Sequence, residues 1–406
     1  MARLRGRRTV IALLATAGSV NVAYTALIPL VPLLRAELGA SLAVIGLSFT
    51  AFALARAAAQ VLGGHLVDAL TARHVAVAAL LVASVAIAGV AYSRTGTQLV
   101  LWRTLWGAAE GVLTPALYRL GVLIAAERGI PQARLMGWFG SAAVAGMAAG
   151  PAIVGVMGSV LGFRAIFLVA AAATIVTAAA AAALLRVEQR SVEVARVSEP
   201  DAPAQAAGVR AMLVPIAVFG GIDLVNNGLY AALEPVLPLA IGAQHGGGVT
   251  ATAILFTWGL VVFAAVSAAG GRLVERVNPV SFSGAGLVLT AGSLAIIGWS
   301  EDYVALAIGF TAFMALQPLL YVTTRRGLSE RCAGQARAFG YFGAVSDLGF
   351  VIGPALGTAL LSLLAGSVFF VLAAIALCAG LMYAALARRM PAVWSHPQPR
   401  LGGTRA

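Results

Sequence analysis

Hydropathy along this chain comes in long blocks. Apolar residues run for about 20 positions at a time, the length of a helix that crosses a bilayer core, with short polar or arginine-bearing segments between them. Twelve such blocks are predicted, at roughly 11–34, 43–63, 75–94, 98–122, 135–158, 164–185, 211–241, 249–269, 280–299, 303–324, 338–363 and 366–387. The first follows basic residues, as a signal peptide would. It is too long for one, and it carries Asn21, Tyr24, Pro29 and Pro32 with no convincing cleavage site, so it reads as a helix. The longest polar interruption, Arg186 to Arg210, mixes charge, proline and alanine and reads as a linker without a core of its own. The expected organisation is a first half over 1–185, a linker over 186–210, a second half over 211–389 and a tail over 390–406.

Composition narrows the class. A chain of 406 residues that is 61% hydrophobic and 10% charged is too apolar to close its surface as a soluble globule. A net charge of +12 would suggest nucleic acid in a soluble protein, but here every basic residue is arginine and topology accounts for the excess. With a cytoplasmic N-terminus, the arginines from Arg3 to Arg8, Arg73, Arg128, Arg134 and those beyond each even-numbered block face the cytoplasm, and only Arg35, Arg94 and Arg164 face outward. That is the positive-inside pattern. It places both termini in the cytoplasm of a bacterial-type cytoplasmic membrane, with the lipid bilayer as partner and no nucleic acid. Cys332 and Cys378 cannot build a disulfide framework.

The chain also repeats itself. "GGHLVD" (Gly63 to Asp68) returns as "GGRLVE" (Gly270 to Glu275), "ERGIPQARLMGWFG" (Glu127 to Gly140) as "ERCAGQARAFGYFG" (Glu330 to Gly343), and "TPALY" (Thr114 to Tyr118) as "QPLLY" (Gln317 to Tyr321). The copies keep their order and lie 203 to 207 residues apart, so two six-helix halves of like orientation are expected. Such a chain resembles the major facilitator superfamily, whose halves enclose a site near the bilayer midplane and expose it alternately to either side. The resemblance covers essentially the whole chain and implies an all-α integral membrane fold of twelve helices in two parallel-repeat bundles. The loop "GHLVDALTAR" matches that family's signature at Gly64, Leu66, Asp68 and Arg73, with Ala69 and Thr71 departing from it. "RTLWGAAEG" (Arg103 to Gly111) is similar to its intramembrane arginine-and-glycine motif, with Trp106 where glutamine is common. The fifth block carries Gly137, Gly146, Gly150 and Pro151 at the spacing of the drug/proton antiporter branch, and the eleventh repeats it through Gly340, Gly349, Gly353, Pro354 and Gly357. Glycines so spaced let backbones approach, and packing and hinging then share one interface.

Scaffold charges should recur in both halves, whereas a site need occur only once. Asp68 corresponds to Glu275 and Arg134 to Arg337; the resemblance implies that Asp68 meets Arg337, and Glu275 meets Arg134, as latches between the halves. Solvated surface charge is the alternative. Other charges lack a counterpart: Arg103 and Glu110 correspond to Leu306 and Phe313, Asp223 and Glu234 to Ala17 and Ile28, Asp347 to Val144, and Arg56 to Phe263. An ionisable residue within an apolar span marks a functional site by default. Asp223, Asn227, Tyr230 and Glu234 share one helix face, as do Arg103 and Glu110; Asn21 and Tyr24 form a shorter stripe. The resemblance places these helices, with Gln317 on the tenth, around a central cavity. Glu234 and Asp223 lead as proton or substrate carboxylates, with Glu110 third and Arg103 as the cation that keeps one of them ionised. Arg56 and Asp347 fall on helices that pack together in that fold, where Arg56 either pairs with Asp347 or snorkels to the surface.

The expected function is secondary transport: proton-coupled efflux of small amphipathic molecules or drugs, or else uptake or facilitated transport of a small metabolite. No lysine exists to serve a nucleotide-binding loop, no channel filter is evident, and no nucleophile motif accompanies the carboxylates, so an ATP-driven pump, a channel and an integral enzyme rank below it. His65, His74, His245 and His396 form no metal cluster. A small-molecule substrate, protons as coupling ion, a monomer, and no metal or cofactor complete the expectation. Tyrosine, asparagine and acids in the cavity suit a cationic substrate, and an unpaired Arg103 suits an anion.

Overall fold

The computed structural model describes residues 2–185, 209–244, 248–274, 277–332 and 336–389. The described residues are almost wholly helical, because within a bilayer a helix satisfies its backbone polar groups internally. The first four helices are α1 (Ala2–Leu38), α2 (Leu42–Ala69), α3 (Ala72–Ala91) and α4 (Gly96–Arg128). A helical stretch from Gln132 to Leu184 follows, interrupted by a non-helical Gly162, and divides into two apolar segments, α5 (Arg134–Gly158) and α6 (Val160–Leu184). The second half holds α7 (Val209–Gln244), α8 (Val249–Val274), α9 (Pro279–Trp299), α10 (Tyr303–Arg331), α11 (Ala336–Leu364) and α12 (Val368–Arg389), the last two joined by a 3-10 turn. Among the described residues, eleven stretches are long and apolar enough to cross a membrane, with α11 and α12 falling in one, Ala338–Arg389. Positions 209 and 210 of the expected linker already belong to α7; the rest of it, and the tail over 390–406, lie outside the described residues.

Local chemistry sets the ends. Ser41, Thr95, Asn278 and Asp302 cap α2, α4, α9 and α10, each side chain accepting from a backbone N–H of the first turn. Gly129 closes α4 in the left-handed conformation at φ 61°, which a side chain would oppose.

Helix packing rests on absent side chains. A Cβ on Gly146 would run into the backbone of Gly18, and one on Gly150 into Thr25, so α5 lies directly on α1. The contact recurs between α11 and α7, where Gly349 and Gly353 lie against Leu224 and Gly228. Pro151 and Pro354 each follow a glycine in these helices, which remain helical through them. Tyr24 faces Glu234 and Pro32 faces Gly242, so α1 and α7 run parallel.

Among the described residues, the close contacts between the halves lie at the level of Tyr24 and Glu234 or toward the end of the bundle far from the start of α1. Thr50 donates to the Val351 carbonyl at 2.7 Å, Gly46 lies against Pro354 and Thr358, and Gly155 and Gly158 lie against Ala253 and Val249. Toward the opposite end, Tyr118, Tyr321, Phe339 and Tyr341 are exposed, and Gly64, Gly137 and Gly340 have no atom near enough to touch an added Cβ. The bundle is thus closed at one end and parted at the other.

Gly353→Leu should force α11 off α7 and lower the melting temperature of the detergent-purified protein by about 5 °C, against little change for Gly340→Ala. Equal tolerance at the two positions would contradict the packing described here.

Candidate functional site

The middle of the bundle is assembled from α1, α2, α4 and α7. Tyr24 donates its hydroxyl hydrogen to Glu234 Oε2 at 2.8 Å, across the halves. Glu234 is 1% exposed, and its Oε1 is buried with no hydrogen-bond partner among the described residues. Arg103 enters from α4. Its guanidinium carbon lies 4.1 Å from the ring centre of Phe52, 4.9 Å from Trp106, 5.2 Å from Phe49 and 5.7 Å from Tyr24. Phe49 and Phe52 reach it because Gly107, one turn beyond Arg103, lets the α2 backbone at Phe52 close onto α4. Arg103 is fully buried, and its Nε, Nη1 and Nη2 have no hydrogen-bond acceptor among the described residues.

Arg103 is sheltered by aromatic faces and stands outside ion-pair distance of the described carboxylates. Glu234 accepts from Tyr24, and Glu110 Oε1 accepts from Trp106 Nε1 at 2.8 Å. The aromatic surround itself went unseen, since Phe49 and Phe52 look like any other phenylalanines in an apolar span.

The polar stripe of α7 is likewise divided. Asp223 stands eleven residues before Glu234, about 16 Å along the axis, in a separate network within the second half. Its Oδ1 accepts from Thr324 Oγ1 at 3.0 Å, and its Oδ2 from Ser346 Oγ at 2.6 Å and Arg325 Nη1 at 3.0 Å. Asn227 Nδ2 donates to Ser346 Oγ at 2.9 Å, so the network ties α7 to α10 and α11. Asp223 is therefore not a second cavity carboxylate beside Glu234. Arg325, assigned to the surface from sequence, reaches back because α10 stays helical through Arg331; its guanidinium lies 3.3 Å from the Tyr321 ring centre. Thr324 and Ser346 gave no signal in the sequence.

The remaining residues fall around these two networks. Tyr230 packs its ring against Phe350 and buries an unpartnered hydroxyl, and Gln317 on α10 buries an unpartnered Nε2. Asn226, missed in the sequence, buries an unpartnered Oδ1. Asn21 turns to the Ala17 carbonyl of its own helix at 2.8 Å. Arg56 is exposed and Asp347 half-buried; they lie just past the Thr50 to Val351 contact, where the halves part, and are not within ion-pair distance of each other. Asp68 and Arg134 are exposed at the parted end, whereas Glu275 and the side chain of Arg337 lie outside the described residues.

The structure is a multi-pass helical bundle with charges buried at its midpoint. The chain belongs to the major facilitator superfamily: the family's sequence model matches residues 13–233 and again 221–403. Over 140 residues it is 34% identical to a "Probable sulfoacetate transporter SauU" of Cupriavidus necator, an alignment spanning 34% of this chain and 32% of that protein. Its fold is similar to the crystal structure of a bacterial homolog of the human lysosomal transporter Spinster in an inward-facing and occupied conformation, with TM-score 0.77, 14% identity, and 96% of this chain and 98% of that one covered. It is also similar to the human organic anion transporter MFSD10 (TETRAN), with TM-score 0.64, 16% identity, and 93% and 99% covered.

Asp223→Ala and Arg325→Ala should each lower the melting temperature, the former more because it also strands Thr324 and Ser346. Because Arg325 is partly exposed, the cycle completed by the double variant should show a coupling of about 1 kcal/mol. Strict additivity would remove the ion pair from the stability of the fold.

Proposed function

We propose that this protein carries a small organic anion across the membrane by alternating access. One observation carries the reading: a guanidinium that stays charged at any physiological pH is buried beside Tyr24, which bonds Glu234 of the other half, and its nitrogens have no acceptor among the described residues. A carboxylate or sulfonate could take two of its donors at once. The Cupriavidus necator relative, whose name gives a doubly anionic metabolite as its probable cargo, supports the same class. The glycine-proline motifs alone rank export of amphipathic drugs first; the unpartnered cation and the relative rank an anionic metabolite above it.

Proton coupling is a second reading, favoured by Glu234. Its Oε1 is open to a proton while Oε2 holds Tyr24 across the halves, so protonation and separation of the halves act on one group. In the wider picture we read Ala338–Arg389 as two crossings, giving twelve helices in two six-helix halves. The arginine distribution puts both termini in the cytoplasm of a bacterial-type membrane, and the parted end then opens inward. Asp68 with Arg337, and Arg134 with Glu275, would latch that end when it closes. A monomer suffices, and the substrate leaves chemically unchanged.

In proteoliposomes, Arg103→Gln should reduce saturable sulfoacetate or related carboxylate flux by about tenfold or more, since a charged hydrogen bond to substrate is lost. Glu234→Gln should abolish the response to an imposed pH gradient. Anion flux that survives Arg103→Gln intact would remove the anion reading, and an unaltered gradient response in Glu234→Gln would remove proton coupling through that residue.

A further inference from the structure

Arg103 and Glu110 are opposite charges buried on one face of one helix, and yet they do not pair. Positions 103, 106 and 110 stand at i, i+3 and i+7 on one face of α4, with Trp106 touching both charged side chains. The indole fills the interval. Its ring lies 4.9 Å from the guanidinium carbon, and its N–H is spent on Glu110 Oε1 at 2.8 Å. It cannot readily swing aside, being 1% exposed and set edge to face against Phe52 at 5.7 Å and 85°.

We infer that Trp106 is a positioning residue that holds Glu110 away from Arg103 and so keeps the guanidinium available to the transported anion. This rests on the anion reading of the same site. Without the indole, the acid would serve as a built-in competitor for the cation, and substrate would have to displace it. The family motif commonly has glutamine at this position, so the spacer is a property of this chain's own sequence.

The test is Trp106→Phe, which keeps a ring but removes the N–H and the bulk between the charges. In proteoliposomes the KM for sulfoacetate should rise about tenfold, with a smaller change in maximal rate, as expected for a ground-state competitor. Adding Glu110→Gln to Trp106→Phe should bring KM back to within about threefold of its original value, a coupling that independent sites would not show. A second readout needs no substrate. The infrared difference spectrum of Trp106→Phe against the unmodified protein should show the guanidinium band of a carboxylate-paired arginine, and the double variant should not. Trp106→Leu carries the same expectation should the phenylalanine variant fail to fold. Absence of the paired band in a folded variant, or failure of Glu110→Gln to reverse the KM change, overturns the inference. If the band appears and reverses but the unmodified protein moves no anion, the anion reading fails and the spacing role of Trp106 stands.

Discussion

A charge within a bilayer-spanning bundle has to be neutralised, solvated or sheltered, since leaving it bare in hydrocarbon costs several kcal/mol. This protein uses each solution at a different height. Asp223 is neutralised, held by Arg325, Thr324 and Ser346 inside the second half. Arg56 is exposed and Asp347 half-buried, just past the Thr50 to Val351 contact. Arg103 is sheltered by four aromatic rings, while Glu234 has a single tyrosine hydroxyl. Of these charges, Arg103 and Glu234 keep buried hydrogen-bonding atoms without partners among the described residues.

The joint between the halves works because the helices around it are rigidly placed. The glycines of α5 and α11 bring backbones into contact, so α1 with α5, and α7 with α11, behave as two stiff blocks. The Asp223 network adds α10 to the second block. Among the described residues, the blocks meet at the midpoint and at one end, where Thr50 meets Val351 and Gly46 meets Pro354. Blocks that are tight internally and joined at one end can rock as units, with Tyr24 and Glu234 near the pivot.

The sequence made much of this legible. Long apolar blocks and their punctuation foretold the helices, the glycine-proline motifs foretold close backbone packing of the fifth and eleventh helices without naming their partners, and comparison of the two halves singled out Arg103, Glu110, Asp223 and Glu234. It could not assign partners. Hydropathy marks where apolar character ends but not where a helix ends, so Arg325 looked like a loop residue although α10 runs on to Arg331. Helical spacing put Asp223 and Glu234 on one stripe, but which neighbouring helix each meets depends on packing between elements far apart in sequence. Phe49 and Phe52 were invisible for a plainer reason: an aromatic in an apolar span is background until a guanidinium is placed beside it.

The shelter around Arg103 is incomplete in a way that bears on transport. A cation over an aromatic face gains about 0.5 to 2 kcal/mol, so the four rings together can offset much of the several kcal/mol lost in leaving water. They provide little for the N–H groups of the guanidinium, which remain directional donors without conventional acceptors among the described residues. A simple apolar replacement would avoid that deficit, so stability alone does not account for an arginine here. On the anion reading proposed above, an anion arriving from the parted end would supply both the charge and the lone pairs that the rings lack. Its binding would stabilise a closed arrangement around Arg103 more than an open one, because water can partly satisfy the same donors when the site is open. A ligand shifts a conformational equilibrium only through such a difference in affinity, and the aromatic enclosure creates that difference by excluding the competing acceptors.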